Sequence, residues 1–272
     1  MLIKKIIGIL SALAFVLAAG LTTAEAAEIQ WFGQSALKIT TPGGKVIVID
    51  PFITKNPKTP KDLKDLKKLG KVDLVMITHG HGDHIGDSVA IAKMNGAKIV
   101  LNADMGRTFA TNGWTGMKQL VRINKSGPVK PIGDGITITM VRAEHSSEVV
   151  YKDSGGKMSM EPGGEPAGYI IKLEDGYTIY HAGDTGVFGD MKFIAEFYKP
   201  DVAFLPIGGW FTMDPAHAAY AVKTLLKTKT VVPFHYGTFG LLKGTPEQFK
   251  AALGNFKTNV VVMTPGETRT FK

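Results

Sequence analysis

The chain has 272 residues, 44% of them hydrophobic, which is enough for a substantial core and too many for a disordered protein. It contains no cysteine, which excludes disulfides, a lipoprotein attachment site and any thiolate metal ligand. The net charge of +8, or +7 without Lys4, Lys5 and Glu25, favours anionic partners only in a general way.

At the N-terminus, Lys4 and Lys5 precede an apolar run from Ile6 to Leu21, and Ala24-Glu25-Ala26 supplies the small residues of a cleavage site. Residues 1–26 therefore read as a cleavable signal peptide that exports the mature chain, 27–272, to the periplasm. The apolar run is shorter than the roughly twenty residues a bilayer requires, so no stable membrane anchor is expected after cleavage.

Three β-rich runs follow, Glu28 to Phe32, Ala36 to Thr40 and Lys45 to Asp50, the last two joined by a Thr41-Pro42-Gly43-Gly44 turn. Lys55, Lys58, Lys61, Lys64, Lys67, Lys68 and Lys71 recur mostly at three-residue spacing beside Pro57 and Pro60. With no aromatic residues interleaved for base stacking, they form a solvated face, and no specific nucleic-acid binding is expected.

From the apolar strand Val72 to Thr78 onward, strands alternate with predicted helices at Ile85–Met94, Ala103–Thr111, Asp190–Tyr198, Ala216–Leu226 and Glu247–Leu253. Asp214-Pro215 and Thr245-Pro246 are helix starts, Gln248 completes a capping box with Thr245, and Gly254 marks the end. The glycine-rich stretch from Asp153 to Gly164 matches no phosphate-binding fingerprint and is expected as a mobile loop near the site.

His79-Gly80-His81-Gly82-Asp83-His84 sets four potential metal ligands within six residues directly after the strand ending at Thr78. Imidazole and carboxylate suit zinc and its neighbours, and the glycines let the backbone turn tightly enough to aim several side chains at one point. Of the seven histidines, His145, His181, His217 and His235 also fall near predicted strand ends or helix starts, which points to a metal centre held by nitrogen and oxygen. His217, in the first turn after Asp214, reads as a surface residue. Because the candidate ligands are scattered from 79 to 235, one domain must bring them together.

These motifs, with His181-Ala182-Gly183-Asp184-Thr185-Gly186 and Pro233-Phe234-His235-Tyr236-Gly237, resemble the metallo-β-lactamase superfamily. Ile49-Asp50-Pro51-Phe52, Pro166-Ala167-Gly168-Tyr169, Phe204-Leu205-Pro206-Ile207-Gly208 and Phe211-Thr212-Met213 resemble, more narrowly, its UPF0173 metal-dependent hydrolases. The resemblance implies an α/β (α+β) fold, an αββα four-layer sandwich with its metal site at one edge. It further implies that His79, His81 and His145 bind one divalent ion, that Asp83, His84 and His235 bind a second, that Asp184 bridges them and that Asp50 orients a ligand imidazole. The chain departs from its relatives at Gly33-Gln34-Ser35-Ala36, where they commonly carry Gly-His-Ser-Ala, so proton transfer by an imidazole at that place is lost.

Two such ions, zinc by this reading with manganese, nickel or iron as alternatives, lower the pKa of a bound water and polarise the bond under attack. The expected reaction is hydrolysis of an ester, phosphodiester, lactone or amide bond in a small-molecule substrate, with anionic ones slightly favoured by the net charge. Asp83 and Asp184 are the expected catalytic carboxylates, and His181, Tyr236 and Trp210 are candidate substrate contacts, with Trp210 and Phe211 placed at the pocket mouth. Two competing readings are an iron-dependent redox enzyme, against which His81 argues, and a non-catalytic metal-binding protein.

Overall fold

The computed structural model describes residues 26–272; the leader read over residues 1–26 lies, but for Ala26, outside the described residues. An antiparallel meander of β1 (Ala27–Trp31), β2 (Leu37–Thr40) and β3 (Val46–Ile49) opens the fold. Parallel pairing then extends it through β4 (Leu74–Met76), β5 (Lys98–Asn102) and β6 (Leu120–Ile123). The C-terminal strand Thr268–Phe271 closes the other edge of this seven-stranded sheet against β1.

A second seven-stranded sheet contains β7 (Pro128–Val129) and β8 (Thr137–Arg142). A separate hairpin, β9 (Glu148–Lys152) and β10 (Met158–Pro162), interrupts it in sequence. It continues with β11 (Ala167–Lys172), β12 (Thr178–His181), β13 (Val202–Pro206), β14 (Thr230–Phe234) and β15 (Asn259–Val260).

Period-two alternation makes the layers. On β13, Val202 and Phe204 enter the core between the sheets while Ala203 and Leu205 face outward; on β5, Val100 points in while Ile99 and Leu101 point out. The outer face of the first sheet is covered by α1 (Gly82–Ile85), α2 (Ser88–Asn95) and α3 (Ala103–Thr111). The outer face of the second is covered by α4 (Met191–Phe193), α5 (Pro215–Tyr220) and α6 (Pro246–Leu253). Fully burying side chains such as Phe109 or Phe249 contributes roughly 1.5–3 kcal/mol each and holds both helical layers down. The result is the αββα sandwich.

The predicted helix at Ile85–Met94 is two helices. Gly86 breaks it at φ +43°, where a Cβ would lie 2.4 Å from the carbonyl oxygen of Pro51, and Asp87 then receives hydrogen bonds from Ile53 N and Thr54 N at 3.0 and 2.9 Å. Both α4 and α5 run on into wide turns, Ile194–Tyr198 and Ala221–Leu226. The capping box of Thr245 and Gln248 is formed.

The stretch expected as a mobile loop is instead the β9–β10 hairpin, turned at Gly155-Gly156 and tied by Asp153, whose side chain accepts from Gly155 N and Lys157 N. Lysines 55 to 71 line a solvated segment, all exposed except the half-buried Lys64. Among the described residues, no helix is long and apolar enough to cross a membrane.

Strand direction positions the site. β3 and β4 are parallel, and β8, antiparallel to β11, runs the same way as β12, β13 and β14. Their C-terminal ends release Asp50, residues 77–84, His145, Asp184 and His235 into one set of loops.

Candidate metal centre

After β4, Ile77 N still bonds Val100 O, and the chain then turns sharply through Gly80 into α1. A Cβ at Gly80 would lie 2.9 Å from the Glu148 carbonyl, so only glycine lets the β9 hairpin approach, and Ser147 Oγ accepts from Gly80 N at 3.1 Å. This turn carries four of the candidate ligands into one place.

The ligand atoms converge in three overlapping groups, each within 4.8 Å of one another: His79 with His81 and His145, Asp83 with His84 and His235, and between them His79 with His84 and Asp184. In the first, His79 Nε2 lies 2.9 Å from His81 Nδ1, and both rings stand 5.0 Å from that of His145. Asp184 reaches both outer groups, its Oδ2 lying 2.9 Å from His235 Nε2, 3.3 Å from His84 Nε2 and 3.7 Å from His145 Nε2. All seven residues that the resemblance implies as ligands are thus brought together.

Asp50 stands behind them. It accepts from Thr78 N at 2.8 Å and Thr78 Oγ1 at 2.7 Å, and its Oδ2 takes Nδ1 of His84 at 2.8 Å, so Nε2 of that ring faces the cluster. This is the contact that fixes the tautomer and orientation of a ligating imidazole. Asp50, Gln34 and His235 all have positive φ, 44°, 52° and 53°, backbone strain that only surrounding structure can hold.

Burial, with repulsion from His84, holds His79 well below the ordinary imidazole range, and burial lowers His145 too, so both keep a free lone pair. For His84, burial is outweighed by Asp184, Asp83 and Asp50, which hold it well above that range. Burial alone would raise Asp184, but His235 and His84 keep it ionised, well below the usual carboxylate range. Neutral His79 and His145, an ionised Asp184 and, at His84, a place where the surrounding carboxylates favour a positive charge are what a bound cation needs, with the proton of His84 given up as the cation takes its place.

The fit is supported by what the protein leaves unmade. Nε2 of His84 is buried without a well-formed hydrogen bond, its nearest charged neighbour being Asp184 Oδ2 at 3.3 Å. His235 Nδ1 is likewise buried without a partner, and the rings of His81, His84 and His145 stand 4.0 to 5.0 Å from that of His79. A set of nitrogen and oxygen donors suits zinc or a borderline divalent ion.

The Beta-lactamase superfamily domain family matches residues 45–236, from the end of the first turn to the residue after His235. A UPF0173 metal-dependent hydrolase of Cupriavidus necator is 50% identical over 252 residues, 92% of this chain and 87% of the relative. Another from a Polaromonas species is 49% identical over 245 residues, 90% of this chain and 89% of the relative. The chain belongs to the beta-lactamase superfamily, in its UPF0173 family of metal-dependent hydrolases. Among solved structures, a novel metallo hydrolase from the hyperthermophilic archaeon Ignicoccus hospitalis is similar, with a TM-score of 0.78 and 39% identity over 91% of this chain and 99% of that one.

Around this UPF0173 centre opens a cleft of about 660 Å³, whose polar side holds Gln34, His81, Asp83, His145, Ser146, Asp184 and His235. Phe52, Phe211, Phe239 and Leu242 line it as well, the rings of Phe52 and Phe239 lying 6.3 Å apart. The three candidate substrate contacts are elsewhere. His181 is buried with both nitrogens engaged, Nε2 on Ser35 O at 3.1 Å and Nδ1 accepting from Gly183 N at 3.2 Å. Tyr236 packs on Trp31 and turns its hydroxyl toward Met263 O, and burial pushes it up to about 12. Trp210 is 73% exposed and does not line the cleft, although Phe211 beside it does.

Gln34 is more central than an absent imidazole suggests, since its Nε2 donates to Asp83 Oδ2 at 2.8 Å. Glu148 lies 3.3 Å from His81 Nε2, a contact that Gly80 and the hairpin make and that no motif announces. His217 is on the surface, bonded to Asp214.

Proposed function

We propose that the protein is a dinuclear zinc hydrolase that cleaves an ester, phosphodiester, lactone or amide bond of a small-molecule substrate, and that it works in the periplasm after removal of residues 1–26. The observation that carries this reading is the pair of donor groups sharing Asp184, whose Oδ2 is within 3.7 Å of ligand nitrogens in both. His79, His81 and His145 would hold one ion, Asp83, His84 and His235 the other, with Asp184 offsetting the repulsion between them. When bound, two such ions lower the pKa of a water, polarise the scissile bond and stabilise the developing oxyanion.

The remaining work falls to the chain. Asp50 holds His84 in one tautomer through Nδ1. Asp83, steadied by Gln34 Nε2, orients the attacking water and takes its proton on a carboxylate oxygen. Phe52 and Phe239, with rings 6.3 Å apart, shield one side of the cleft from water.

The test is turnover by the zinc-loaded protein on a panel holding a phosphodiester, a lactone, a thioester and a β-lactam. Turnover of one class, abolished by Asp184→Ala, is expected; equal rates in the two proteins would contradict the reading.

A further inference from the structure

The charge and polarity of the cleft narrow the substrate. No described lysine or arginine lines it. The cations nearest His145 belong to an adjoining groove and are already matched, Arg142 with Glu144 at 2.8 Å and Lys125 with Glu165. The lysines that make the chain basic sit on the segment from 55 to 71, which contributes nothing to the cleft. An anionic substrate would therefore find no lysine or arginine beside the centre to add to the charge of the bound ions, and Glu148, 3.3 Å from His81 Nε2, adds a negative charge near that end.

The cleft also has an apolar part that is not core. Phe211 and Phe239 are 55% and 43% exposed, Leu242 is buried beneath them, and Phe52 stacks at a tilt on Phe239. These residues come from loops after β3, β13 and β14, so three strand ends deliver apolar surface to one side of the same opening. Exposed aromatics gathered next to a polar centre mark a place where a ligand buries apolar surface.

The titratable groups lining the cleft are all candidate ligands: His81, Asp83, His145, Asp184 and His235. Only Asp83, which takes the proton of the water, is placed to hand it on to the leaving group, and an alkoxide leaves with less need of that proton than an amide nitrogen.

We infer that the cleft takes a neutral ester or lactone whose acyl chain or ring lies against Phe52, Phe211, Phe239 and Leu242. This deepens the hydrolase reading above and rests on it. The oxygen of water bonds the acyl carbon and the acyl C–O bond breaks. The leaving oxygen ends as an alcohol and the acyl group as a carboxylate, so a lactone gives a hydroxy acid and no oxidant or reductant is needed.

The test uses the zinc-loaded protein with 4-nitrophenyl esters of two to eight acyl carbons, bis(4-nitrophenyl) phosphate, and linear alkyl hydroxamates of the same lengths as a binding series that needs no turnover. The expected kcat/KM rises with chain length by about fourfold per methylene until the apolar side is filled, and hydroxamate affinity rises in parallel. The double variant Phe211→Ser/Phe239→Ser flattens both slopes, whereas Trp210→Ser, which changes an exposed neighbour outside the cleft, keeps them. Slopes that are flat in the wild type, or equally reduced by Trp210→Ser, would overturn the inference, as would faster turnover of the phosphodiester than of any ester. If no ester is hydrolysed, the hydrolase reading of this bond type fails, and the hydroxamate slopes still decide whether the apolar side binds an acyl chain.

Discussion

Gln34 and His235 hold each other twice, through Gln34 Nε2 and His235 Nε2 at 2.7 Å and through His235 N donating to Gln34 O at 3.1 Å. Both have left-handed backbone, and Trp31 Nε1 donates to the same Gln34 carbonyl at 2.9 Å. Gln34 Nε2 also donates to Asp83 Oδ2 at 2.8 Å, so Gln34→Leu should weaken metal binding at the Asp83, His84 and His235 group by about 10- to 100-fold, the usual cost of losing a hydrogen bond that positions a ligand carboxylate. Competition titration with cobalt would show it, and wild-type affinity in the variant would contradict the assignment.

Asp50→Asn keeps the shape but replaces the carboxylate that fixes His84 Nδ1 and receives two bonds from Thr78. Metal affinity should fall by about 10- to 100-fold with the fold retained. Metal content after dialysis, read beside the far-ultraviolet circular dichroism spectrum, separates the two effects.

Much of this was legible in the sequence because the signals were local. The ligands at 79–84 are fixed by spacing, the meander by its turn residues, and α6 by a capping box that the structure forms. What was not legible is long-range. His181 and His235 both follow or end a strand of the second sheet, yet one is satisfied by Ser35 O and the other faces Asp184. Phe52, Phe239 and Leu242 carried no signal of their place, since apolar side chains look alike whether they fill a sheet interface or rim a cleft. The hairpin at 148–162 was masked by glycines that proved to be its turn, Gly155-Gly156, and, in Gly163 and Gly164, its close approaches to Ser147 and Asn102.

Gly86→Ala should destabilise the protein by about 2 kcal/mol or more, since it combines left-handed backbone with a Cβ driven against Pro51 O. The break it supports sets α1 apart from α2. A denaturant midpoint unchanged from wild type would show that this close approach is relaxed easily.

Asp73 gives a pH dependence away from the centre. Burial works to raise its carboxyl, but the bond from Val46 N at 2.9 Å and the charges of Lys45 and Lys71 win, and its pKa lies below the ordinary value. A lowered folded-state pKa means stability that is present above the unfolded pKa of about 3.9 and lost as pH falls through the folded value. Asp73→Asn should therefore cost stability at pH 7 and progressively less toward pH 3, measured by urea denaturation of the metal-free protein. A difference that does not change with pH would exclude the carboxylate charge as its source.

Removal of residues 1–26, as proposed, would leave a chain beginning at Ala27, the first residue of β1. Intact-mass measurement on protein recovered from the periplasmic fraction should find that N-terminus, and an unprocessed Met1 species confined to the cytoplasm would refute export.

The most direct test of the central claim is metal stoichiometry of the purified protein, wild type and Asp184→Ala, by inductively coupled plasma mass spectrometry after zinc loading and dialysis. The account predicts two equivalents of zinc in the wild type and the loss of one in the variant, because the removed carboxylate is the group that both donor sets share. A wild type that retains a single equivalent, or a variant that retains two, would contradict a dinuclear centre bridged by Asp184.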